Sequence, residues 1–115
     1  MFQAPIALGS TTGIVAPTAA PTSPTDGYDL RDQQFAQLWI GVTGGVPPSS
    51  ADVGVWLLGP LGWLPVQGSG LVTVQGSEGG ALLQVEPRGA ARCYVQVLAI
   101  VGGATVDIAA QGVTY

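Results

Sequence analysis

The chain has 115 residues and a net charge of −4 at pH 7; 47% of its residues are hydrophobic and only 9% are charged. It has no His and a single Cys, which excludes a Ser-His-Asp triad and a zinc site built from Cys and His. Its only basic residues, Arg31, Arg88 and Arg92, form no cluster, so nucleic acid is not an expected partner.

The same composition bounds the class of protein. The length predicts one domain, large enough to bury a core without disulfides or metals. No apolar run approaches the roughly 18 residues of a membrane span, and the N-terminus lacks the basic residues that open a secretory signal. We therefore expect no membrane partner and no signal peptide. A surface with so few charges is expected to be covered by neighbouring molecules.

Residues 1–30 are predicted to form an extended arm ahead of a β-sandwich domain at residues 31–115. The arm is rich in Pro, Thr and Ala, carries no charge before Asp26, and favours polyproline-like or irregular backbone. Such a segment does not fold alone, so we expect it to dock on a neighbouring subunit or, alternatively, along its own sheet. The arm residues predicted to contact a partner are apolar: Phe2, Ile6, Leu8, Ile14 and Val15.

Three carboxylates, Asp26, Asp29 and Asp32, lie where the arm meets the domain. Their spacing matches the start of a calcium-binding loop, but the central Gly and the closing Glu of such a loop are missing. The Asp26-Gly27 pair is typical of a turn. A solvated connector without a metal is therefore the favoured interpretation.

The first two strands of the domain are predicted at residues 35–43 and 53–58, where apolar residues alternate with others. Helix is a competing interpretation of the first segment, but its glycines and β-branched residues favour a strand. In both strands the alternation places a tryptophan, Trp39 or Trp56, on the face opposite the core.

Three shorter strands are predicted at residues 63–66, 71–75 and 82–86, separated by turns rich in Gly. Pro65 marks the first of them as an edge strand. With two further strands near the C-terminus, the chain has about seven short strands, which is typical of an all-β fold, either an antiparallel sandwich or a jelly-roll-like barrel.

The strongest local signal is at residues 92–110, two runs of β-forming residues joined by Gly102-Gly103. A two-residue Gly-Gly connection predicts a hairpin, in which Val97 would pair with Ile108. One face of that hairpin is wholly apolar.

The single thiol, Cys93, falls on the apolar face of the hairpin, and we expect it to be buried and structural. The other face is half apolar, and together with the two tryptophans it would expose more apolar surface than a monomer tolerates. We interpret this surplus as a protein–protein interface; a stacking platform for carbohydrate and a cover formed by the arm are the alternatives. The outer residues predicted for the interface are Trp39, Trp56, Tyr94 and Leu98, with Ile100 beside them.

No catalytic, cofactor-binding or metal-binding residue is predicted. Glu78 and Glu86 are the one conceivable glycosidase pair, but both fall in connections where exposed carboxylates are ordinary. The Gly-rich residues 76–80 match no phosphate-binding motif and precede no helix. We therefore expect a protein without enzymatic activity.

Four stretches carry a resemblance: AQLWIGVT (36–43), GVWLL (54–58), GWLPV (62–66) and RCYVQVLAIVGGATV (92–106). With their Gly-rich, Lys-poor strands behind an extended arm, they resemble small β-sandwich accessory proteins of tailed bacteriophage virions, of the capsid decoration (cement) type. The resemblance implies a homo-oligomer, with a trimer favoured, that binds the major capsid protein on the capsid surface and laces subunits together with its arms. It implies no catalytic or ligand residue.

The expected function is therefore that of a virion structural protein that stabilises the capsid lattice by binding only its assembled form. A carbohydrate-binding module of a fibre or spike, and a component of the tail or neck, are the alternative expectations.

Overall fold

The protein is a β-sandwich of two antiparallel sheets, as the sequence predicts. The computed structural model describes residues 5–30, 33–66 and 71–113, and in these ranges it contains no α-helix. The strands are β1 (Ile6–Ile14), β2 (Tyr28–Asp29), β3 (Phe35–Thr43), β4 (Ser50–Gly59), β5 (Gly62–Pro65), β6 (Leu71–Gln75), β7 (Gly80–Val85), β8 (Arg92–Val101) and β9 (Thr105–Val113).

Sheet A has the strand order β1-β9-β3-β7, and sheet B the order β2-β8-β4-β5, with β6 also paired to β4. Most connections carry the chain from one sheet to the other. The exceptions are β4 to β5, which form a hairpin, and β5 to β6, since both β5 and β6 pair with β4 in sheet B. A 3-10 turn at Gly76–Glu78 leads from β6 in sheet B to β7 in sheet A.

The core lies between the sheets and consists of alternate residues of their long strands. The inward faces predicted for β3 and β4 are correct, because their alternation buries one apolar face against the facing sheet. Cys93 is fully buried in β8, as expected. The largest completely buried side chains are aliphatic, among them Leu30, Leu38, Val53, Val97 and Val106.

The hairpin predicted around Gly102-Gly103 is wrong. β8 pairs with β2 and β4 in sheet B, whereas β9 pairs with β1 and β3 in sheet A, so the Gly-Gly turn links the two sheets. Both glycines have positive φ, 81° and 69°. A Cβ on Gly102 would lie 2.6 Å from the carbonyl oxygen of Val46, because this turn packs against the connection between β3 and β4.

Ile100 lies on the core side, not on the outer face predicted for it. The β4–β8 register shifts between Asp52 and Val53, which leaves Leu98 as an extra residue of β8. An extra residue in one strand exchanges the faces of all residues beyond it. Ile100 therefore lies opposite the buried Ala51 and packs against the core.

The segment predicted as an arm has regular structure over Ile6–Ile14, which is neither polyproline-like nor irregular. These residues form β1, an edge strand hydrogen-bonded to β9 in sheet A. The register shifts twice along this pairing, and Gly9 and Gly13 adopt positive φ. These irregularities interrupt the alternation of inward and outward residues in β1. Its sequence therefore lacks the regular apolar pattern that indicates a strand.

The connector predicted to be solvated is also structured where the structure describes it. Tyr28 and Asp29 form β2, beside β8, and both Tyr28 and Leu30 are buried. Residues 31 and 32 lie outside the described ranges.

Candidate functional site

The outer residues predicted as one interface lie on two opposite faces of the sandwich. Trp39 is on the outside of sheet A, whereas Trp56, Tyr94 and Leu98 are on the outside of sheet B. Because the core separates the two faces, these residues form no single patch.

The outer face of sheet B is partly covered by residues 18–27, which we call the covering segment. At its start, the Thr18 amide donates to the carbonyl oxygen of Val97 at 2.8 Å, and the Val97 amide donates to the Thr18 hydroxyl at 2.9 Å. The Gln96 side-chain amide also donates to the Thr18 carbonyl at 3.2 Å. These bonds attach the segment along the edge of β8.

Two aromatic side chains of sheet B hold the middle of the covering segment. The Tyr94 hydroxyl donates to the carbonyl oxygen of Ala19 at 2.9 Å, and the Trp63 indole N–H donates to that of Ser23, also at 2.9 Å. The two rings pack edge to face with centroids 6.2 Å apart. Pro21, which lies between the two acceptor residues in the chain, is buried. The polar tips of both aromatics are thus used within the protein.

Arg92 holds the end of the covering segment. Its guanidinium donates to the carbonyl oxygens of Asp26 (2.8 Å), Gly27 (2.9 Å) and Thr25 (3.2 Å). In the same turn the Asp26 carboxylate accepts hydrogen bonds from the amides of Ser23 and Thr22, which lower its pKa, and Arg92 adds a smaller effect in the same direction. Asp26 therefore caps a turn, as the Asp26-Gly27 pair in the sequence indicates.

These contacts show that the covering segment lies along its own sheet, which is the alternative to docking on a neighbouring subunit. Trp56 is half-buried, and its indole N–H donates to the Gln96 side chain at 3.0 Å. Away from the covering segment, Leu98 and Leu71 remain exposed on this face.

Around Trp39, the outer face of sheet A has no such cover in the described part of the chain. Trp39 is 48% exposed at the centre of this face, and its indole N–H donates to the side-chain oxygen of Gln111 on β9 at 3.1 Å. Its neighbours across the strands are Leu82 on β7, also half-exposed, and Ala109 on β9. Trp side chains with an apolar body and a hydrogen-bonded polar tip are enriched at interfaces.

A groove of about 710 Å³ opens at the edge of the sandwich, between the β4–β5 hairpin of sheet B and β7 of sheet A. Leu61 and Leu64 on the hairpin are 85% and 55% exposed. An exposed ion pair between Glu86 and Arg88, at 3.5 Å, lies at the rim. The Val and Leu residues that line the groove are Val55, Leu57, Leu61, Leu64, Val66, Leu83 and Val85.

The predicted arm residues are scattered over the fold. Ile6 and Val15 are exposed, whereas Leu8 and Ile14 pack against the core. Phe2 lies outside the described residues. The sequence interpretation missed the groove, although exposed Leu61, in a Gly-Pro-Leu-Gly turn, was a signal that could have located it.

The described residues contain no group of three or more Cys, Asp or Glu side chains that could hold a metal ion. Burial raises the pKa of the Cys93 thiol to about 12, so this thiol stays protonated and unreactive at neutral pH. In the same ranges no helix is long and apolar enough to cross a membrane.

Comparison with protein-family models, with curated proteins and with solved structures found no match to this chain. The functional argument therefore depends on the surfaces themselves.

Proposed function

We propose that this protein is a non-enzymatic structural protein of a tailed-bacteriophage virion, a capsid decoration protein that binds the assembled major capsid protein. The observation that carries the proposal is the groove between the β4–β5 hairpin and β7. Large exposed aliphatic side chains line it, in a chain with few charges. Exposed apolar surface of this kind is typical of sites of protein association.

The free edge of β7 adds a second means of association. In the described ranges β7 pairs with β3 on one side only, so its other backbone edge borders the groove. An extended segment of a neighbouring virion subunit can add a strand there and place alternate apolar side chains into the groove. β7 itself carries no charged residue that would oppose such pairing.

The covering segment changes the mechanism expected from the resemblance. Residues 18–27 are hydrogen-bonded to their own sheet, and β1 is part of sheet A, so these residues do not serve as a free arm that laces subunits together. We therefore assign the partner contact to the groove. Binding restricted to the assembled lattice stabilises that lattice by mass action. A homo-oligomer, with a trimer favoured, remains part of the proposal.

The test is co-sedimentation of the purified protein with capsids assembled from the major capsid protein of the same phage. The wild-type protein is expected to sediment with the capsids at a fixed ratio and to raise the temperature at which they disrupt. The double variant Leu61→Ser/Leu64→Ser is expected to lose both effects while keeping its own melting temperature.

The matched control is Val46→Ser, because Val46 is 74% exposed and does not line the groove. It is expected to bind capsids as the wild-type protein does. Failure of the wild-type protein to bind capsids would contradict the proposed function, and equal binding by the groove variant would contradict the assignment to the groove.

A further inference from the structure

The outer face of sheet A carries side chains in ordered rows across β7, β3 and β9. The row that contains Trp39 places Leu82 on one side and Ala109 on the other. Trp39 is the one tryptophan of the three that is more than a third exposed in this structure. Its hydrogen bond to Gln111 fixes the orientation of the ring before any ligand arrives.

The next row consists of three glutamines. Gln37 on β3 lies opposite Gln84 on β7 and opposite Gln111 on β9, so three amides cross the sheet beside the Trp39 ring. An amide offers both donors and an acceptor, which suits a ligand whose groups also donate and accept. Gln111 uses its oxygen to hold Trp39, whereas Gln84 is exposed.

The row on the other side of Trp39 has almost no side chains. Gly41 on β3 lies opposite Gly80 on β7 and opposite Asp107 on β9. Gly80 has a positive φ of 147°, and a Cβ there would collide with the carbonyl oxygen of Ile40. Asp107 therefore supplies the only side chain of this row, beside the Trp39 ring.

The charge of this face selects the class of ligand. The three rows contain no basic residue, and their one carboxylate, Asp107, accepts a hydrogen bond from the Gly13 amide at 2.8 Å. A ligand with phosphate, sulfate or carboxylate groups would have no basic side chain to pair with in these rows. A basic peptide could pair only with Asp107, whose carboxylate already accepts a hydrogen bond. Neutral amides beside an aromatic ring complement a neutral ligand with many hydroxyls.

We propose that this face, the Trp39 site, binds a neutral saccharide, whose ring stacks on Trp39 while its hydroxyls hydrogen-bond to Gln37 and Gln84. Gln111 is a positioning residue that holds the indole. The proposal goes beyond the decoration role, because a capsid protein bound through its groove leaves this face free to contact sugars outside the particle. A protein partner is the less favoured occupant, since the apolar surface in these three rows is limited to Trp39, Leu82 and a small alanine.

The test is a titration of the ¹⁵N-labelled protein with neutral oligosaccharides, followed by the three tryptophan indole N–H signals. The probes are cellohexaose, maltohexaose, chitohexaose and galactose-based oligosaccharides, with a heparin-derived hexasaccharide as the charged comparison. We expect at least one neutral probe to shift the Trp39 indole signal in a saturable way, and the Trp56 and Trp63 signals to stay in place.

Variants then assign the site. Trp39→Ala is expected to weaken binding at least about tenfold, as the loss of a central aromatic anchor does, whereas Trp39→Tyr retains part of it. Gln37→Ala is expected to weaken binding less, and Leu98→Ser, on the opposite face, not at all. Melting temperatures establish that each variant is folded.

Four results would overturn the proposal: no shift with any neutral probe, binding of the charged hexasaccharide alone, shifts confined to Trp56 or Trp63, or sugar binding that survives in Trp39→Ala. Loss of capsid binding by Trp39→Ala, without sugar binding by the wild-type protein, would assign this face to a protein partner instead. The groove variant Leu61→Ser/Leu64→Ser should still bind sugar. Failure of the saccharide proposal can therefore be distinguished from failure of the capsid-binding proposal.

Discussion

Replacing Arg92 with Met tests whether side chains of sheet B hold the covering segment in place. Methionine keeps a long unbranched side chain but has no donor for the carbonyl oxygens of Thr25, Asp26 and Gly27, which Arg92 contacts in the native protein. The rest of the segment keeps its bonds to Tyr94 and Trp63. We therefore expect the C-terminal end of the segment to loosen first.

The magnitude follows from the burial of the three hydrogen bonds. Two of them are part-buried and the third, to Thr25, is exposed. Hydrogen bonds to a charged group contribute about 1.5–3 kcal/mol each when they are shielded from water, and less when water can replace the donor. For Arg92→Met we expect a loss of about 2–3 kcal/mol in the free energy of unfolding, with a decrease of about 10 °C in melting temperature.

The assay combines urea unfolding with hydrogen exchange. In the variant, exchange is expected to become faster at the amides of Thr22, Ser23 and Asp26, which are bonded within the turn that Arg92 holds. The matched control is Arg88→Met, because the Arg88 ion pair with Glu86 is exposed and should contribute less than about 1 kcal/mol. If Arg92→Met and Arg88→Met had equal stability and equal exchange rates, the reasoning about the covering segment would be refuted.

Two further predictions concern pH and the turn between the sheets. Burial raises the pKa of Cys93 from 9.0 to about 12, so the unfolded thiol ionises first and the folded state binds more protons above pH 9. Stability should fall by up to about 1.4 kcal/mol per pH unit between pH 9 and 12, and urea unfolding of Cys93→Ala should show a smaller decrease; identical pH profiles would contradict this. Gly102→Ala should cost more than Gly103→Ala in the same assay, because both have positive φ but only the Gly102 Cβ meets backbone atoms. Equal losses from the two substitutions would show that the neighbouring connection moves aside.

The faces of the strands were predictable because alternation is a local property, except beyond the extra residue Leu98, which moves Ile100 to the core side. Residues 35–43, 71–75 and 92–101 form strands as the pattern indicates. A residue flanked by neighbours of opposite polarity reports which side of its own strand meets the core. That information lies within a few residues and needs no knowledge of pairing.

The pairing of the strands was not predictable in the same way. A Gly-Gly turn between two alternating strands suits a hairpin within one sheet, but it also suits a turn that places the strands in facing sheets. Both arrangements bury Val97 and Ile108, so alternation does not distinguish them. The choice depends on which other strands compete for each edge, and here β8 pairs with β4 while β9 pairs with β3.

The candidate sites depended on that missing information. Trp39 and Trp56 look equivalent along the chain, but they belong to opposite faces because β3 and β4 lie in different sheets. The glutamine row beside Trp39 brings together Gln37, Gln84 and Gln111, and only the pairing of β3 with both β7 and β9 places them side by side. The face on which a side chain lies follows from residues nearby in the sequence, whereas the grouping of side chains into a site depends on which strands pair.

The proposed decoration role, the central claim, is tested most directly by the protein composition and the electron cryomicroscopy of purified phage particles whose genome encodes this sequence. The decoration role predicts that the protein is present in a fixed ratio to the major capsid protein, and that density for the sandwich lies on the outer capsid surface with the β4–β5 hairpin and β7 toward the shell. Absence of the protein from intact particles, or its location in the tail alone, would contradict the claim.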